Sequence, residues 1–108
     1  MKISIITCVL NNQRFIEDSI KSFESQDYQN KEHIIIDGGS SDNTVEIIEK
    51  FRNKNLIFFS SRDNGIYDAL NKGINFSSGN IIGILHSDDF YENKNVISNV
   101  IEVFKNTD

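Results

Sequence analysis

The sequence predicts an α/β fold, a three-layer α/β/α arrangement around a mainly parallel sheet. Three observations predict it. Short apolar, β-branched runs alternate four times with stretches whose apolar residues recur at helical spacing, the pattern of right-handed βαβ crossovers. The runs are continuous rather than alternating, as expected of strands covered on both faces. Three of them end in polar residues, Asn11, Asp37 and the pair Asp88-Asp89, and ligands of open α/β sheets bind at that carboxyl edge.

The first run, residues 3–9, is nearly all apolar and therefore central. Asn11-Asn12 ends it and can cap a helix over about 13–26, with Phe15, Ile16, Ser19, Ile20 and Phe23 on one face. Residues 33–37 form a second buried strand. The turn 38–43 leads into a helix with Val45, Ile48 and Phe51 inward, and Asn43 with Glu46 has capping-box spacing. A third strand covers 56–60. Asn64-Gly65 marks a turn, followed by a helix over 66–76 that Gly73 weakens. The run from Asn80 to Leu85 is the fourth strand, expected to be buried on both faces. A last helix spans 95–105, with Val96, Ile97, Val100, Ile101 and Phe104 at helical spacing.

The chain has 108 residues and a net charge of −5, one domain with an ordinary soluble composition. No apolar stretch is long enough to cross a bilayer, and no signal-peptide pattern opens the chain. Cys8 stands alone within the first strand, which argues for a packed side chain rather than a disulfide or zinc site. A cytoplasmic setting is the expectation. The acidic balance argues against a nucleic-acid binder but not against a nucleotide, because a metal offsets local negative charge.

Asp88 and Asp89 are the centre of the chemistry. Aspartate is costly to bury unpaired, so both should lie just past the fourth strand. Two hard oxygen donors there suit Mg²⁺ or Mn²⁺, which in turn holds a diphosphate. Taken alone, the pair is better explained as a helix-capping turn, since Ser and Asp are ordinary cap residues. With strand order 3-2-1-4 the crevice lies between the first and fourth strands. Asp37 could then accept from a base imide N–H, Asp88 could reach a ribose hydroxyl, and Asp89 could take the metal.

Competing motifs are weaker. Gly38-Gly39 is not a dinucleotide fingerprint and follows the wrong strand, and no Walker lysine motif occurs. His33 and His86 read as structural residues rather than metal ligands. Glu17, Asp18 and Lys21 read as a solvated helix face. Ser40 and Ser41 lack a His-Asp partner and are not read as nucleophiles.

Four ordered blocks together carry a resemblance: Ile5-Ile6-Thr7 with Asn11-Asn12; residues 35–44, Ile-Ile-Asp-Gly-Gly-Ser-Ser-Asp-Asn-Thr; residues 63–73, Asp-Asn-Gly-Ile-Tyr-Asp-Ala-Leu-Asn-Lys-Gly; and Ser87-Asp88-Asp89. The chain resembles family-two glycosyltransferases of the GT-A fold, in particular the bacterial enzymes of capsule, O-antigen and exopolysaccharide assembly. The resemblance implies a Rossmann-like sheet and inverting transfer from a nucleotide-sugar donor, often a UDP-sugar, with a divalent metal on the diphosphate. It implies a saccharide or lipid-linked acceptor, and peripheral association of the full-length protein with the inner face of the membrane. Carried over by position, Asp37 matches the base-recognising aspartate, Asp88 the acid near the ribose, and Asp89 the metal ligand. Leu10 and Asn11 match the nucleotide pocket. Asp68 and Asn71 are the expected contacts in the block that closes over the donor.

Two departures stand out. The metal motif is His86-Ser87-Asp88-Asp89, without an acid at its first position. Family members also run well past this length, so the acceptor site and general base are expected beyond Asp108. Glu92 and Glu102 do not sit in a base-like motif. Residues 1–108 are therefore read as the donor-binding part, inactive by itself and prone to self-association through uncovered apolar surface. A stand-alone nucleotide-binding module is the alternative. A receiver-like signalling domain is disfavoured, because its paired acids would follow the first strand.

Overall fold

A computed structural model describes residues 1–53 and 55–106. Asp108, the last acid of the chain, lies outside the described residues. The elements alternate as β1 (Ile3–Val9), α1 (Ile16–Glu24), β2 (Lys31–Asp37), α2 (Thr44–Glu49), β3 (Leu56–Ser60), α3 (Ile66–Phe76), β4 (Ile81–Ile84) and α4 (Val96–Lys105). The sheet order is β3-β2-β1-β4 with every pairing parallel, as expected from the alternation.

The pleat divides the core. On one face Ile3, Ile5 and Val9 of β1 pack with Ile16, Ile20 and Phe23 of α1, Ile48 of α2 and Ile97 and Ile101 of α4. On the other, Ile6, Ile34 and Ile36 meet Ala69 of α3. Gly73 is what lets α3 come this close, since a Cβ there would stand 2.6 Å from Ile6 Cγ2. The residue that weakens the helix locally is thus required by helix–sheet packing.

Several expectations need correction. β4 is an edge strand, and it is not buried on both faces: Ile82 is 45% and Ile84 57% exposed. The reason is that α3 covers β1 and β2 and leaves this side of β4 bare. α1 starts at Ile16 rather than Gln13, and Phe15 remains 41% exposed ahead of it. The capping box at Asn43 does not form. Asp42 instead accepts the Thr44 N–H at 2.9 Å and the Thr44 hydroxyl at 2.5 Å.

His33 is structural, as expected, but sits in the middle of β2. Its Nε2 lies 2.7 Å from Thr7 Oγ1 and its ring packs on Phe23 at 4.6 Å between centroids. Complete burial pushes its pKa down to about 3, so it is neutral in the fold.

Candidate functional site

The registers define the upper edge of the sheet. β1 and β2 run level to Val9 and Asp37, whereas β4 stops at Ile84, opposite Ile6. Leu85 adds one more hydrogen bond, its N–H to Ile6 O at 3.0 Å, before the chain leaves the sheet. The loops after β1, β2 and β4 therefore meet on one rim.

Asp37 closes β2 with no exposed surface. Its Oδ2 accepts the N–H groups of Gly39 and Ser40, each at 3.0 Å, and the Ser60 hydroxyl at 2.8 Å. Its Oδ1 accepts the Ser40 hydroxyl. Four donors satisfy a buried charge that would otherwise be prohibitive. The same carboxylate shapes the turn in which Gly39 adopts φ 100°. In this arrangement Asp37 presents no surface to a ligand.

Asn11 is the sole non-glycine residue with positive φ among the described residues, at 49°. Asparagine tolerates that region better than most side chains. Its Oδ1 accepts the Ser41 N–H at 2.8 Å and its own N–H donates to Ser40 Oγ at 2.8 Å, which locks the β1 and β2 loops together.

Beside these loops lies a cleft of about 230 Å³ lined by Cys8, Val9, Leu10, Gly38, Asp63, Gly65, Ile66 and Ala69. Leu10 is 58% exposed at its wall. Asp63 is the site residue that sequence reasoning left without a role, although a carboxylate shortly after the third strand was the available signal. Its Oδ1 accepts the Gly65 N–H at 3.1 Å, and a Cβ on Gly38 would stand 2.8 Å from its Oδ2. Burial, with the nearby Asp63 charge added, raises the Cys8 thiol to about 11, so Cys8 lines the cleft as an inert group.

The expected contacts of α3 divide. Asp68 Oδ2 accepts the Asn64 N–H at 3.0 Å and pairs with Lys72 at 3.3 Å. The Asn64 N–H foremost, then Lys72, holds its pKa below the ordinary carboxylate value. Asp68 thus secures the start of α3. Asn71 is exposed and has no hydrogen-bond partner among the described residues.

Asp88 and Asp89 are exposed, and neither carboxylate has a hydrogen bond or ion pair among the described residues. The turn that carries them is closed by the Asp89 N–H to His86 O at 3.0 Å. They follow β4 next to β1 and do not line the 230 Å³ cleft. The donor chemistry fits a hard cation: Mg²⁺ is commonly held by one or two carboxylates, with water and phosphate oxygens filling the remaining positions. The structure therefore offers an apolar-walled cleft with one carboxylate, and next to it an unspent acid pair.

Residues 4–108 match the sequence profile described as Glycosyl transferase family 2. The chain belongs to that family. An uncharacterized glycosyltransferase of Mycobacterium tuberculosis is 35% identical over 101 residues, spanning 93% of this chain and 38% of the relative. A cholesterol galactosyltransferase of Borreliella burgdorferi is 33% identical over 107 residues, spanning 97% of this chain and 28% of the relative. The chain thus spans well under half the length of these glycosyltransferases. Among solved structures, S. aureus TarS 1–349 in complex with UDP-GlcNAc superposes with a TM-score of 0.89 at 27% identity, over 97% of this chain and 31% of TarS. A mannosyltransferase from Pyrobaculum calidifontis, in complex with GDP-Man and Mn²⁺, shares the fold with a TM-score of 0.86 at 21% identity, over 94% of this chain and 31% of that one. Among the described residues, no helix of this family-two chain is long and apolar enough to cross a membrane.

Proposed function

We propose that this chain is the donor-binding part of an inverting glycosyltransferase that moves a sugar from a nucleotide donor, in this reading a UDP-sugar, onto a saccharide or lipid-linked acceptor in cell-surface polysaccharide synthesis. The observation that carries it is the unspent Asp88-Asp89 pair at the tip of β4, on the same sheet edge as the cleft between the β1, β2 and β3 ends. The UDP-GlcNAc complex of TarS supports a nucleotide-sugar donor.

In this reading the base enters between Leu10 and Ile66. Asp63 accepts from its imide N–H, and Asp37 Oδ1 joins when the Ser40 hydroxyl turns to the ligand. Asn11 keeps the pocket's two loops together. Asp88 accepts from a ribose hydroxyl, and Asn71 is free to donate to the donor. Asp68 acts indirectly, by holding α3. Asp89, with Asp88 beside it, would hold Mg²⁺ or Mn²⁺. Such an ion neutralises the charge that grows on a departing diphosphate. Transfer also needs a base to take the acceptor hydroxyl's proton. Glu92 and Glu102 are exposed and away from the cleft's lining, so we assign that base to polypeptide beyond this stretch and read residues 1–108 alone as inactive.

Calorimetry with UDP tests the reading. Binding with Mn²⁺ that weakens at least tenfold in excess chelator, and in Asp89→Ala, is the expected result. Equal affinity under all three conditions counts against the roles given to Asp88 and Asp89.

A further inference from the structure

Asn12 is bonded in two directions. Its backbone N–H donates to Thr44 Oγ1 at 2.9 Å, and its side-chain Nδ2 donates to Ser87 Oγ at 2.9 Å. Thr44 is fully buried at the start of α2, and Ser87 directly precedes the acid pair. One residue therefore joins the loop after β2 to the loop after β4, although β1 stands between those strands.

We infer that Asn12 is a positioning residue that sets where Asp88 and Asp89 stand relative to the nucleoside cleft. The inference rests on the function proposed above. Other ties of this loop come from α1 and the turn that follows it: Ser19 Oγ donates to His86 O at 3.4 Å, Ser22 Oγ accepts the Tyr91 N–H, Gln26 Nε2 donates to Asn93 O at 2.6 Å and the Asp27 N–H to Lys94 O at 2.8 Å. Those ties fix the loop to α1 and its turn but not to the cleft. Asn12 supplies the link to the other side, through a half-buried bond that water competes for poorly. A pair of carboxylates gripping an ion against a diphosphate works only within a fraction of an ångström, so the link governs affinity without touching the ligand.

The test compares Asn12→Ala, Ser87→Ala and the double variant with the unaltered chain. Amide hydrogen exchange on the metal-free protein reads the loop, and UDP calorimetry with Mn²⁺ or chelator reads its consequence. Exchange at Asp89 should quicken about five- to tenfold in each single variant and no further in the double, as expected for loss of one shared hydrogen bond. The metal-dependent part of UDP affinity should fall by a similar factor, with affinity in chelator unmoved. Unchanged exchange at Asp89, additive effects, or equal loss of affinity with and without metal overturns the inference. If the unaltered chain shows no Mn²⁺-dependent affinity, the proposed function fails, and exchange still decides whether Asn12 holds the loop. Should Asn12→Ala not fold, Ser87→Ala keeps the backbone bond to Thr44 and carries the comparison.

Discussion

Asp37 holds Ser40 twice, accepting both its backbone N–H, at 3.0 Å, and its hydroxyl. The same hydroxyl accepts the Asn11 N–H at 2.8 Å, so the shape of the nucleotide-side loops passes through one oxygen atom. Ser40→Ala should cost about 1–2 kcal/mol in urea denaturation, the usual net worth of such bonds. Asp37→Asn should cost more, because its amide would turn a donor toward groups that are themselves donors.

Gly38 and Asp63 make a second prediction. A Cβ at position 38 would meet Asp63 Oδ2 at 2.8 Å, and that carboxylate is the movable end of a side chain. Gly38→Ala should therefore displace Asp63 and lower UDP affinity severalfold while shifting stability by less than about 1 kcal/mol. Calorimetry beside a thermal melt separates the two effects.

At Gly73 the opposite balance holds. Alanine gains about 1 kcal/mol of helix propensity, but its methyl would lie 2.6 Å from Ile6 Cγ2 in a close-packed core. Overpacking of this kind costs about 1–3 kcal/mol, so Gly73→Ala should destabilise the chain on balance. A raised denaturation midpoint would contradict the packing described for α3.

His33 predicts a pH dependence. Its pKa is about 3 in the fold and 6.5 as the unperturbed value, so between them the unfolded chain binds a proton that the folded chain does not. Stability from this group is fully present above pH 6.5 and is lost as pH falls toward 3. Between pH 7 and 5 the loss should be about 2 kcal/mol, measured by urea denaturation. His33→Asn should flatten the slope in that window, before most carboxylates titrate.

Strand and helix alternation, and the acids at strand ends, were legible in the residue order because periodicity and turn chemistry are local properties. Val9, Ile16, Ile20 and Ile35 reached the core as their spacing implies. Asp88 and Asp89 fell just beyond a strand because burying them there would have been too costly.

Folding alone decided how the acids are used. Asp37 and Asp63 look alike in the sequence, yet the first is enclosed by Gly39, Ser40 and Ser60 and the second faces the cleft. β4, like β1, is a run without charged residues, but its place at the sheet edge leaves Ile82 and Ile84 open. Each of these outcomes depends on partners brought together from distant parts of the chain, and no local pattern encodes the company a side chain will keep.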